Sequence, residues 1–523
     1  MIYNTINEYL DRSFQEYRDN IAISYPERGK SYTYGEMERI INRFARSLVG
    51  IGVKNQSHVA IVLPTCPEWV MLFLAITKIG AIPVCLNDSD MHREMEYKIN
   101  HSDSTVLFTT RKLYDSVIKE TKLRKIEKIV ILGEKSNGVT ANYLTMESFL
   151  KKGEAVSEKD VEKCVKATSF DDVLNLQYTS GTTGNPKAVM SIHYRVLNNI
   201  LVFLKNFQYG EQDKVLSALP LYHVMGCLFT GILIFFAGGT LVLVSHYKTR
   251  KVLEIIEKEG CTSFHGVPTM FHLMLKHCDE YKITTLKKCM AAGDYCSPIL
   301  VDDIMNKLHI EHVFPCYGQS EGIGITQALI EDSIEKKRYT VGKAVKDVEI
   351  RIIDEKGNIL PANEVGEIIA FIPYHMKGYY KDEISTNKTI KSGWLYTGDL
   401  GYLDEDGYLV MKGRKKELII RGGENISPVE VENVLRQHED IANVAVVGVP
   451  DPVMGEEIAA FVMLEQISEK EHVKVKESLH DYMEKRIPKY ERPKFIYIVD
   501  QFPMTTSGKI QKKKLVETLQ ENE

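Results

Sequence analysis

The longest stretch without a charged side chain sets the tightest limit on how this chain can fold. Residues 225 to 244 read MGCLFTGILIFFAGGTLVLV, and a helix of about twenty apolar residues can cross a bilayer. Gly238 and Gly239 interrupt the stretch, however, and separate a helix-like first part from a β-branched tail, TLVLV. We therefore predict a buried helix followed by a buried strand and no transmembrane segment, with peripheral membrane association as the alternative.

The size and charge of the chain limit its class and its partners. A chain of 523 residues is too long for one ordinary core, so at least two domains are expected. The 66 basic and 71 acidic side chains give a net charge of -5, which offers no electrostatic reason to expect a nucleic-acid partner. Nine cysteines without a CxxC pair, and a polar N-terminus where a signal peptide needs an apolar run, indicate a reduced, cytoplasmic protein.

Two changes of pattern along the chain predict its architecture. Up to about residue 340, short apolar runs such as VAIVLP (59 to 64) alternate with segments of helical periodicity, as in parallel sheets covered by helices. Beyond that point, short strands separated by turn dipeptides indicate a β-rich subdomain. The predicted fold is α/β, with a large N-terminal domain of parallel or mixed sheets (residues 1 to 413) and a small α+β C-terminal domain (residues 414 to 523).

The stretch YTSGTTGNPK, residues 178 to 187, has the composition of an anion-binding loop. Its hydroxyls, bare backbone N–H groups and single cation suit phosphate first of all. A Walker A loop is excluded, because Gly181 and Gly184 are only three residues apart and Ala188 follows Lys187. A plain surface loop is the alternative interpretation.

Two further stretches suit a nucleotide. In YGQSEG (317 to 322), Tyr317 can lay its ring against a flat ligand and Glu321 can hold Mg2+ beside phosphates, although a tight turn has a similar pattern. In GWLYTGDLG (393 to 401), Asp399 can accept both hydroxyls of a ribose, although Asp is also common in ordinary turns.

The last two stretches lie in the C-terminal part. GRKKELIIRGGENISPVEVE (413 to 432) predicts a strand and a turn, and then a helix whose N-terminus is capped at Ser427. TTSGKIQKKKL (505 to 515) places Lys509 directly after Gly508 in what would otherwise be an exposed basic tail.

Together with LPLYHVMG (219 to 226), these five stretches resemble, in order and spacing, the adenylate-forming superfamily. That superfamily contains acyl-CoA synthetases, adenylation domains of peptide synthetases and beetle luciferases. Its members activate a carboxylic acid in two half-reactions. The carboxylate first attacks the α-phosphate of ATP to give acyl-AMP and pyrophosphate, and a thiol then takes the acyl group while AMP leaves.

The resemblance implies a role for each motif residue that meets the nucleotide. Tyr317 would stack on adenine, Ser320 would touch the α-phosphate, and Glu321 would ligate Mg2+ and assist catalysis. Asp399 and Arg414 would hold the ribose hydroxyls. The loop over the β- and γ-phosphates would comprise Thr179, Ser180, Gly181, Thr182, Thr183, Gly184 and Lys187.

The resemblance also implies how one site serves both half-reactions. Lys509 would be the catalytic lysine that reaches between the acid's carboxylate and the α-phosphate. The small domain would then rotate about a hinge at Lys416, which withdraws the lysine and exposes a tunnel for pantetheine beside Gly423. His223 would be a catalytic gate residue between the acid pocket and the nucleotide.

The chain departs from the family pattern at a few positions. Ala188 and Ser320 are mild replacements of the usual glycine and threonine. Gly293 and Asp294 lie in AAGDYCSP (291 to 298), the region that would frame adenine and the acyl pocket, and its pattern resembles fatty-acyl and medium-chain synthetases. An acid at position 294 is unexpected: it would disfavour long apolar tails or recognise a cationic, carnitine-like acid, or it points to solvent.

The predicted function is that of a free-standing, AMP-forming acid–CoA ligase that uses ATP, Mg2+ and coenzyme A. Its substrate is expected to be a medium-chain fatty acid or a related organic acid, and its state a monomer or homodimer in the cytoplasm. Two alternatives keep the adenylation: transfer to the phosphopantetheine of a carrier protein, or CoA ligation of an aryl or carnitine-like acid. A third alternative, from a different class, is a non-catalytic homologue that serves for binding.

Overall fold

Helices and strands alternate along most of the chain. The computed structural model describes residues 1–133, 143–179, 185–464, 472–504 and 510–521. The α-helices are α1 (Ile6–Glu16), α2 (Tyr34–Gly50), α3 (Pro67–Lys78), α4 (His92–His101), α5 (Arg111–Ser116), α6 (Met146–Lys152), α7 (Glu158–Ala167), α8 (His193–Phe207), α9 (Thr249–Glu259), α10 (Pro268–Leu275), α11 (Pro298–Lys307), α12 (Ile334–Tyr339), α13 (Glu383–Thr389), α14 (Pro428–Leu435), α15 (His472–Glu484) and α16 (Lys512–Glu521).

The strands are numbered in the same way. They are β1 (Ile21–Tyr25), β2 (Lys30–Thr33), β3 (His58–Val62), β4 (Ile82–Cys85), β5 (Val106–Thr110), β6 (Lys128–Leu132), β7 (Leu144–Thr145), β8 (Val173–Thr179), β9 (Lys187–Ile192), β10 (Lys214–Ser217), β11 (Thr240–Leu243), β12 (Ser263–Gly266), β13 (Lys288–Ala291), β14 (His312–Val313), β15 (Cys316–Gln319), β16 (Ile323–Gln327), β17 (Lys343–Ala344), β18 (Glu349–Ile353), β19 (Gly366–Phe371), β20 (Gly378–Tyr379), β21 (Ile390–Lys391), β22 (Trp394–Leu403), β23 (Leu409–Arg414), β24 (Ile419–Arg421), β25 (Glu424–Ile426), β26 (Ile441–Asp451), β27 (Gly455–Leu464) and β28 (Phe495–Ile498).

Two large mixed sheets form the first part of the fold. One has the order β14-β13-β12-β10-β11-β1-β2 and is parallel except for β2. The other has the order β20-β9-β8-β4-β3-β5-β6-β7, in which only β9 and β20 run antiparallel to their neighbours. Capping boxes start the first two helices, since Thr5 pairs with Glu8 and Thr33 with Glu36. The predicted α/β fold with parallel and mixed sheets is confirmed.

The charge-free stretch is buried, as predicted. Helical turns run from Met225 to Ala237 and are followed by β11, which lies between β10 and β1 in the first large sheet. Gly238 ends the turns in the left-handed conformation, with φ at 75°, which glycine adopts at little cost. No helix in the described part of the chain has the length and apolar character of a membrane span.

Three smaller sheets form the rest of the chain, and all their strand pairs are antiparallel except β27–β28, which is parallel. A short sheet of β15, β16 and β17 carries Tyr317, and a second sheet joins β18, β19, β22, β21 and β23. The strands after residue 418 form a sheet of their own, β25-β24-β27-β26 with β28 on β27. Its two faces pack separate apolar clusters, one around Leu435 and Leu479 and the other around Phe461 and Phe502.

The predicted N-cap at Ser427 is wrong in its detail. Helix α14 does begin at Pro428, directly after Ser427, but the serine side chain makes no capping hydrogen bond. Its hydroxyl donates instead to the carbonyl oxygen of Lys412, at 2.7 Å. The serine therefore ties the start of α14 to strand β23. Its hydroxyl is less needed as a cap, because the proline at the first helical position has no N–H to satisfy.

Candidate active site

Three of the predicted nucleotide-binding residues meet where the short sheet faces β22 and β23. Tyr317, on β15, donates its phenolic hydrogen to Oδ2 of Asp399, on β22, at 2.5 Å. Asp399 and Arg414 are register partners in the β22–β23 ladder, and Arg414 Nε lies 3.3 Å from Asp399 Oδ1. The fold therefore brings Tyr317 next to two side chains that lie 82 or more residues further along the chain.

These three side chains differ in burial and in charge. Asp399 is only 6% exposed, whereas the Arg414 side chain is half exposed and can reach a ligand. Burial raises the pKa of Tyr317 well above its ordinary value, and the negative charge and hydrogen bond of Asp399 raise it further. Tyr317 therefore stays a neutral donor at physiological pH, so the group presents one anion, one cation and one aromatic ring.

Glu321 lies at the turn after β15 and is held by a residue that the sequence analysis missed. The hydroxyl of Tyr379 donates to Glu321 Oε1 at 2.7 Å, and the ring centroid of Tyr379 lies 4.8 Å from Lys187 Nζ. Tyr379 sits on β20, which pairs with β9, the strand that begins at Lys187. Glu321 and Tyr379 are 58 residues apart, so only the tertiary structure reveals the contact.

The anion-binding stretch is described at its two ends. Thr179 ends β8 and Lys187 begins β9, and the two residues are register partners in the antiparallel ladder. Thr179 Oγ1 also donates to the Lys187 carbonyl oxygen, at 3.4 Å. Five predicted loop residues lie outside the described residues: Ser180, Gly181, Thr182, Thr183 and Gly184. The fold thus fixes both ends of the predicted phosphate loop.

A narrow cavity separates α10 and the loop after β13 from the C-terminal part. Its walls include Asp294, Tyr295, Arg436 and Ile510, and the Arg436 guanidinium lies 6.0 Å from the Tyr295 ring centroid. Asp294 is exposed, and its Oδ1 accepts a hydrogen bond from the Tyr295 backbone N–H. Lys509, the residue before Ile510, lies outside the described residues. The C-terminal part therefore packs on the cleft that Asp294 lines, and Gly293 is the exposed residue directly before it.

A second, larger cavity of about 240 Å³ lies where strands of both large sheets end. Its lining includes Thr65 after β3, Asp88 after β4 and Tyr222 after β10. Ligands of open parallel sheets bind at such carboxyl ends. His223 follows Tyr222, and its Nδ1 accepts a hydrogen bond from Met225 N at 3.3 Å. Met270, in the first turn of α10, lines this cavity, while its neighbours Pro268 and Thr269 line the narrow one.

The remaining predicted residues lie in turns. Ser320 is partly exposed directly after β15. Lys416 lies in an exposed helical turn, Lys415–Glu417, which connects β23 to β24. Gly423 is exposed between β24 and β25 with φ at 90°, and a side chain at this position would meet no atom within 4 Å. Neither Lys416 nor Gly423 is brought next to Tyr317 by a contact of the described residues.

Comparison with known proteins assigns the chain to a family. The family model for the AMP-binding enzyme matches residues 10–380, and the model for the AMP-binding enzyme C-terminal domain matches residues 430–509. The chain therefore belongs to the AMP-binding enzymes. Its class is that of the AMP-forming acid–CoA ligases, which use ATP and CoA.

Individual relatives narrow the comparison. The chain is 34% identical over 543 residues to the putative acyl-CoA synthetase YngI of Bacillus subtilis, covering 99% of this chain and 97% of that protein. It is 30% identical to the mitochondrial medium-chain acyl-CoA ligase ACSF2 of Danio rerio, covering 98% of this chain and 88% of that protein.

Among solved structures, the anthranilate CoA ligase AuaEII in complex with anthranoyl-AMP superposes with a TM-score of 0.89 at 25% identity, over 100% of this chain and 98% of that one. The o-succinylbenzoate CoA synthetase MenE of Bacillus subtilis, in complex with its acyl-adenylate, has a TM-score of 0.80 at 28% identity, over 98% of both chains.

Proposed function

We propose that this chain joins a medium-chain fatty acid, or a related organic acid, to coenzyme A through an acyl-AMP intermediate. The observation that carries the proposal is the Tyr317–Asp399–Arg414 group, which offers a ring, a buried carboxylate and a reachable cation side by side. The first half-reaction joins two anions, the carboxylate and the α-phosphate. Catalysis must therefore consist mainly of positioning and of charge compensation.

The adenosine half of ATP would bind at this group. The Tyr317 ring would stack on adenine, because its hydroxyl is already held by Asp399 and fixes the ring. The Asp399 carboxylate, an acceptor-only group, would accept the ribose hydroxyls. The exposed Arg414 would close over the ribose, and Gly293 would frame the base from the other side.

The phosphates and Mg2+ would lie between Glu321 and Lys187. One Glu321 oxygen accepts the Tyr379 hydrogen bond, and the other is suited to a hard cation that prefers carboxylate oxygens. When bound, Mg2+ would neutralise part of the charge on the triphosphate. Lys187, Thr179 and the loop between them would contact the β- and γ-phosphates, and Ser320 the α-phosphate.

The small domain would deliver Lys509. We place the domain boundary at residues 413 and 414, and the hinge at Lys416, because the exposed turn there connects two separate sheets. Ile510 already lines the cleft beside Asp294, which supports a lysine at position 509 as the cation of the first half-reaction. Rotation about the hinge would then bring Gly423, which carries no side chain, to the path of the thiol.

The acid itself is the least constrained part of the proposal. The relative ACSF2 is named for medium-chain acids, whereas AuaEII is named for an aryl acid. A carnitine-like acid would need Asp294 to face the substrate, but this side chain is exposed and bonded to the Tyr295 N–H. His223 would gate the acid pocket, which the buried turn after it would line.

AMP release, measured with and without CoA across straight-chain, aryl and carnitine-type acids in the presence of Mg2+, tests the proposal. CoA-dependent turnover on straight-chain acids of medium length is the expected result. Adenylation that needs a holo carrier protein instead of CoA would favour the carrier-loading alternative. The absence of AMP release with every acid would contradict the catalytic role.

The lysine can be tested separately. Replacing Lys509 with alanine should abolish formation of acyl-AMP, because no other cation is proposed to bridge the two anions. The same variant should largely retain thioesterification of supplied acyl-AMP. Lys513→Ala, on the exposed face of α16, is the matched control and should leave both half-reactions unchanged. Equal loss of both half-reactions in Lys509→Ala would refute the role.

We also propose that the protein is a cytoplasmic monomer or homodimer. Any association with a membrane would be peripheral. All nine cysteines are free thiols, and most are buried, as in a reducing compartment. Fractionation of cells and sedimentation of the purified protein test these points. Recovery in an organelle, as the name of the ACSF2 relative says of that protein, would contradict the cytoplasmic assignment.

A further inference from the structure

Tyr379 lies between the two oppositely charged residues proposed to hold the phosphates. Its hydroxyl is 2.7 Å from Glu321 Oε1, on one side, and its ring centroid is 4.8 Å from Lys187 Nζ, on the other. It is only 7% exposed. A single buried side chain therefore contacts both the proposed Mg2+ ligand and the proposed phosphate-binding cation.

The backbone around Tyr379 holds the side chain in this place. Its own N–H donates to Thr386 Oγ1 at 2.9 Å, and its strand, β20, pairs with β9 in the register Tyr379 to Val189. Just before this strand, the Met376 N–H donates to the Glu321 carbonyl oxygen at 2.7 Å. The same short segment thus contacts Glu321 through both its backbone and its side chain.

The chemistry of a phenol suits this position. The hydroxyl supplies one hydrogen, so it can bond one oxygen of the carboxylate and leave the other free for a ligand. The phenol of a tyrosine ordinarily has a pKa of about 10. The group therefore remains a neutral donor over the whole physiological range. The aromatic face attracts an ammonium group without neutralising it.

We infer that Tyr379 is a positioning residue for ATP binding, which sets the orientation of Glu321 toward Mg2+ and of Lys187 toward the phosphates. The inference rests on the proposed function, because it takes Glu321 as the Mg2+ ligand. Tyr379 itself touches neither the metal nor the reacting atoms in this account. It acts through two neighbours, and these two actions can be separated by mutation.

The neighbouring tyrosine provides a matched control. Tyr380 follows Tyr379 directly, but its hydroxyl donates to Asp103 Oδ2, at 3.0 Å, and not to Glu321. Tyr380→Phe therefore removes the same atom from the same strand end without reaching Glu321 or Lys187. A general loosening of the segment would affect both variants alike, whereas a positioning role belongs to Tyr379 alone.

The test measures ATP binding by calorimetry at a series of Mg2+ concentrations, with thermal melts to check folding. Tyr379→Phe keeps the ring and should require about tenfold more Mg2+ for half-maximal ATP binding, since it loses one hydrogen bond to a charged group. Its affinity at saturating Mg2+ should stay near that of the wild type. Tyr379→Leu should in addition weaken ATP binding at saturating Mg2+ by about threefold, because Lys187 loses the ring.

A double variant decides whether the hydroxyl acts through Glu321. Adding Tyr379→Phe to Glu321→Gln should change the Mg2+ requirement no further, because the group that the hydroxyl orients has already lost its charge. Full additivity of the two changes, or a wild-type Mg2+ requirement in Tyr379→Phe, would overturn the inference. A shift in Tyr380→Phe equal to that in Tyr379→Phe would overturn it as well.

Binding and turnover separate this inference from the proposed reaction. If the wild type binds ATP with Mg2+ but releases AMP with no acid, the proposed reaction fails, while the binding curves still decide the role of Tyr379. If AMP release is normal and Tyr379→Phe behaves as the wild type, only the positioning role fails. A wild type that does not bind ATP would overturn both.

Discussion

At the scale of single residues, the site combines a buried carboxylate with a half-exposed cation. Asp399 is buried and accepts from Tyr317, so its position is set by the fold. The Arg414 side chain is half exposed, and its Nε lies 3.3 Å from Asp399 Oδ1. The carboxylate is therefore the anchor of the proposed ribose site, and the arginine is free to follow the ligand.

Asp399→Asn tests this anchor. The amide retains the shape of the side chain but loses the charge that holds Arg414, and one of its polar atoms becomes a donor opposite a hydroxyl. We expect the KM for ATP to rise by about 10- to 100-fold, because a charged hydrogen-bonding partner is lost. Steady-state kinetics with varied ATP measures this. Asp406→Asn, in the exposed turn after β22, is the control, and an equal effect there would contradict the role of Asp399.

At the scale of secondary-structure elements, close backbone approach decides where the buried apolar turns can lie. A Cβ on Gly226 would stand 2.1 Å from the Pro220 carbonyl oxygen, far inside any allowed contact. The glycine thus lets the turns after His223 fold back on the segment before it. The second cavity is lined by Pro220 and Tyr222, and His223 follows them. The positions of these residues therefore depend on the close contact between Gly226 and Pro220.

Gly226→Ala should therefore destabilise the large domain. Overpacking of this kind costs about 1 to 3 kcal/mol of the free energy of unfolding, because the Pro220 carbonyl oxygen is a backbone atom that cannot rotate away. A thermal melt should show a clear drop in Tm. Gly210→Ala has open space around the added methyl group and serves as the control. A Gly226→Ala variant as stable as Gly210→Ala would contradict the packing described here.

Helix α8 carries a pH-sensitive residue at its start. His193 is fully buried, and its Nδ1 accepts a hydrogen bond from the Ile6 N–H on helix α1, at 3.4 Å. Burial lowers the pKa of His193 to about 3. A proton on Nδ1 would face another donor, so α1 and α8 pack together only around the neutral ring.

The sign of the pH dependence follows from that pKa. Between pH 6.5 and 3 the unfolded chain binds a proton at this histidine that the folded chain does not, so stability falls as the pH is lowered. His193→Gln should lessen that fall by up to about 1.4 kcal/mol per pH unit. Melts of both proteins from pH 8 to pH 4 measure it, and the two curves should run parallel above pH 7. Parallel curves at every pH would contradict the assignment.

At the scale of the whole molecule, a buried carboxylate on α14 organises the contact between the C-terminal part and the loop after β13. Arg436 follows α14 and projects to Tyr295, while Glu432 in the same helix holds both Arg436 and Lys512 by ion pairs at 3.2 and 2.7 Å. Glu432 is only 3% exposed. The buried carboxylate therefore orients the arginine that bridges the two parts and ties it to helix α16.

Arg436→Ala should loosen this arrangement. We expect the rate of acyl-AMP formation to fall several-fold, and thioesterification of supplied acyl-AMP to be less affected. The reason is that the lost cation–π contact with Tyr295, worth about 1 kcal/mol, would stabilise only the domain arrangement that forms acyl-AMP. Single-turnover assays of each half-reaction measure this. Arg486→Ala is the matched control, since Arg486 packs on Tyr482 within the small domain. Equal loss of both half-reactions in Arg436→Ala would contradict the proposal.

The sequence alone determined the classes of structure and chemistry that local patterns encode. Apolar periodicity predicted the parallel sheets, the paired glycines predicted that the charge-free stretch is buried as helix and strand, and the ordered motifs predicted the family. These features depend on neighbouring residues, so a single chain shows them. The predicted cap at Ser427 is wrong because the serine hydroxyl donates to a carbonyl oxygen on β23, outside its own segment.

Only the tertiary structure decided which side chains meet. The bond of Tyr317 to Asp399 and the place of Tyr379 between Glu321 and Lys187 depend on how distant strands are registered. The physical reason is that a hydrogen bond of 2.5 to 2.7 Å requires positions fixed to a fraction of an ångström. Such positions come from the packing of the whole core, which no local pattern specifies.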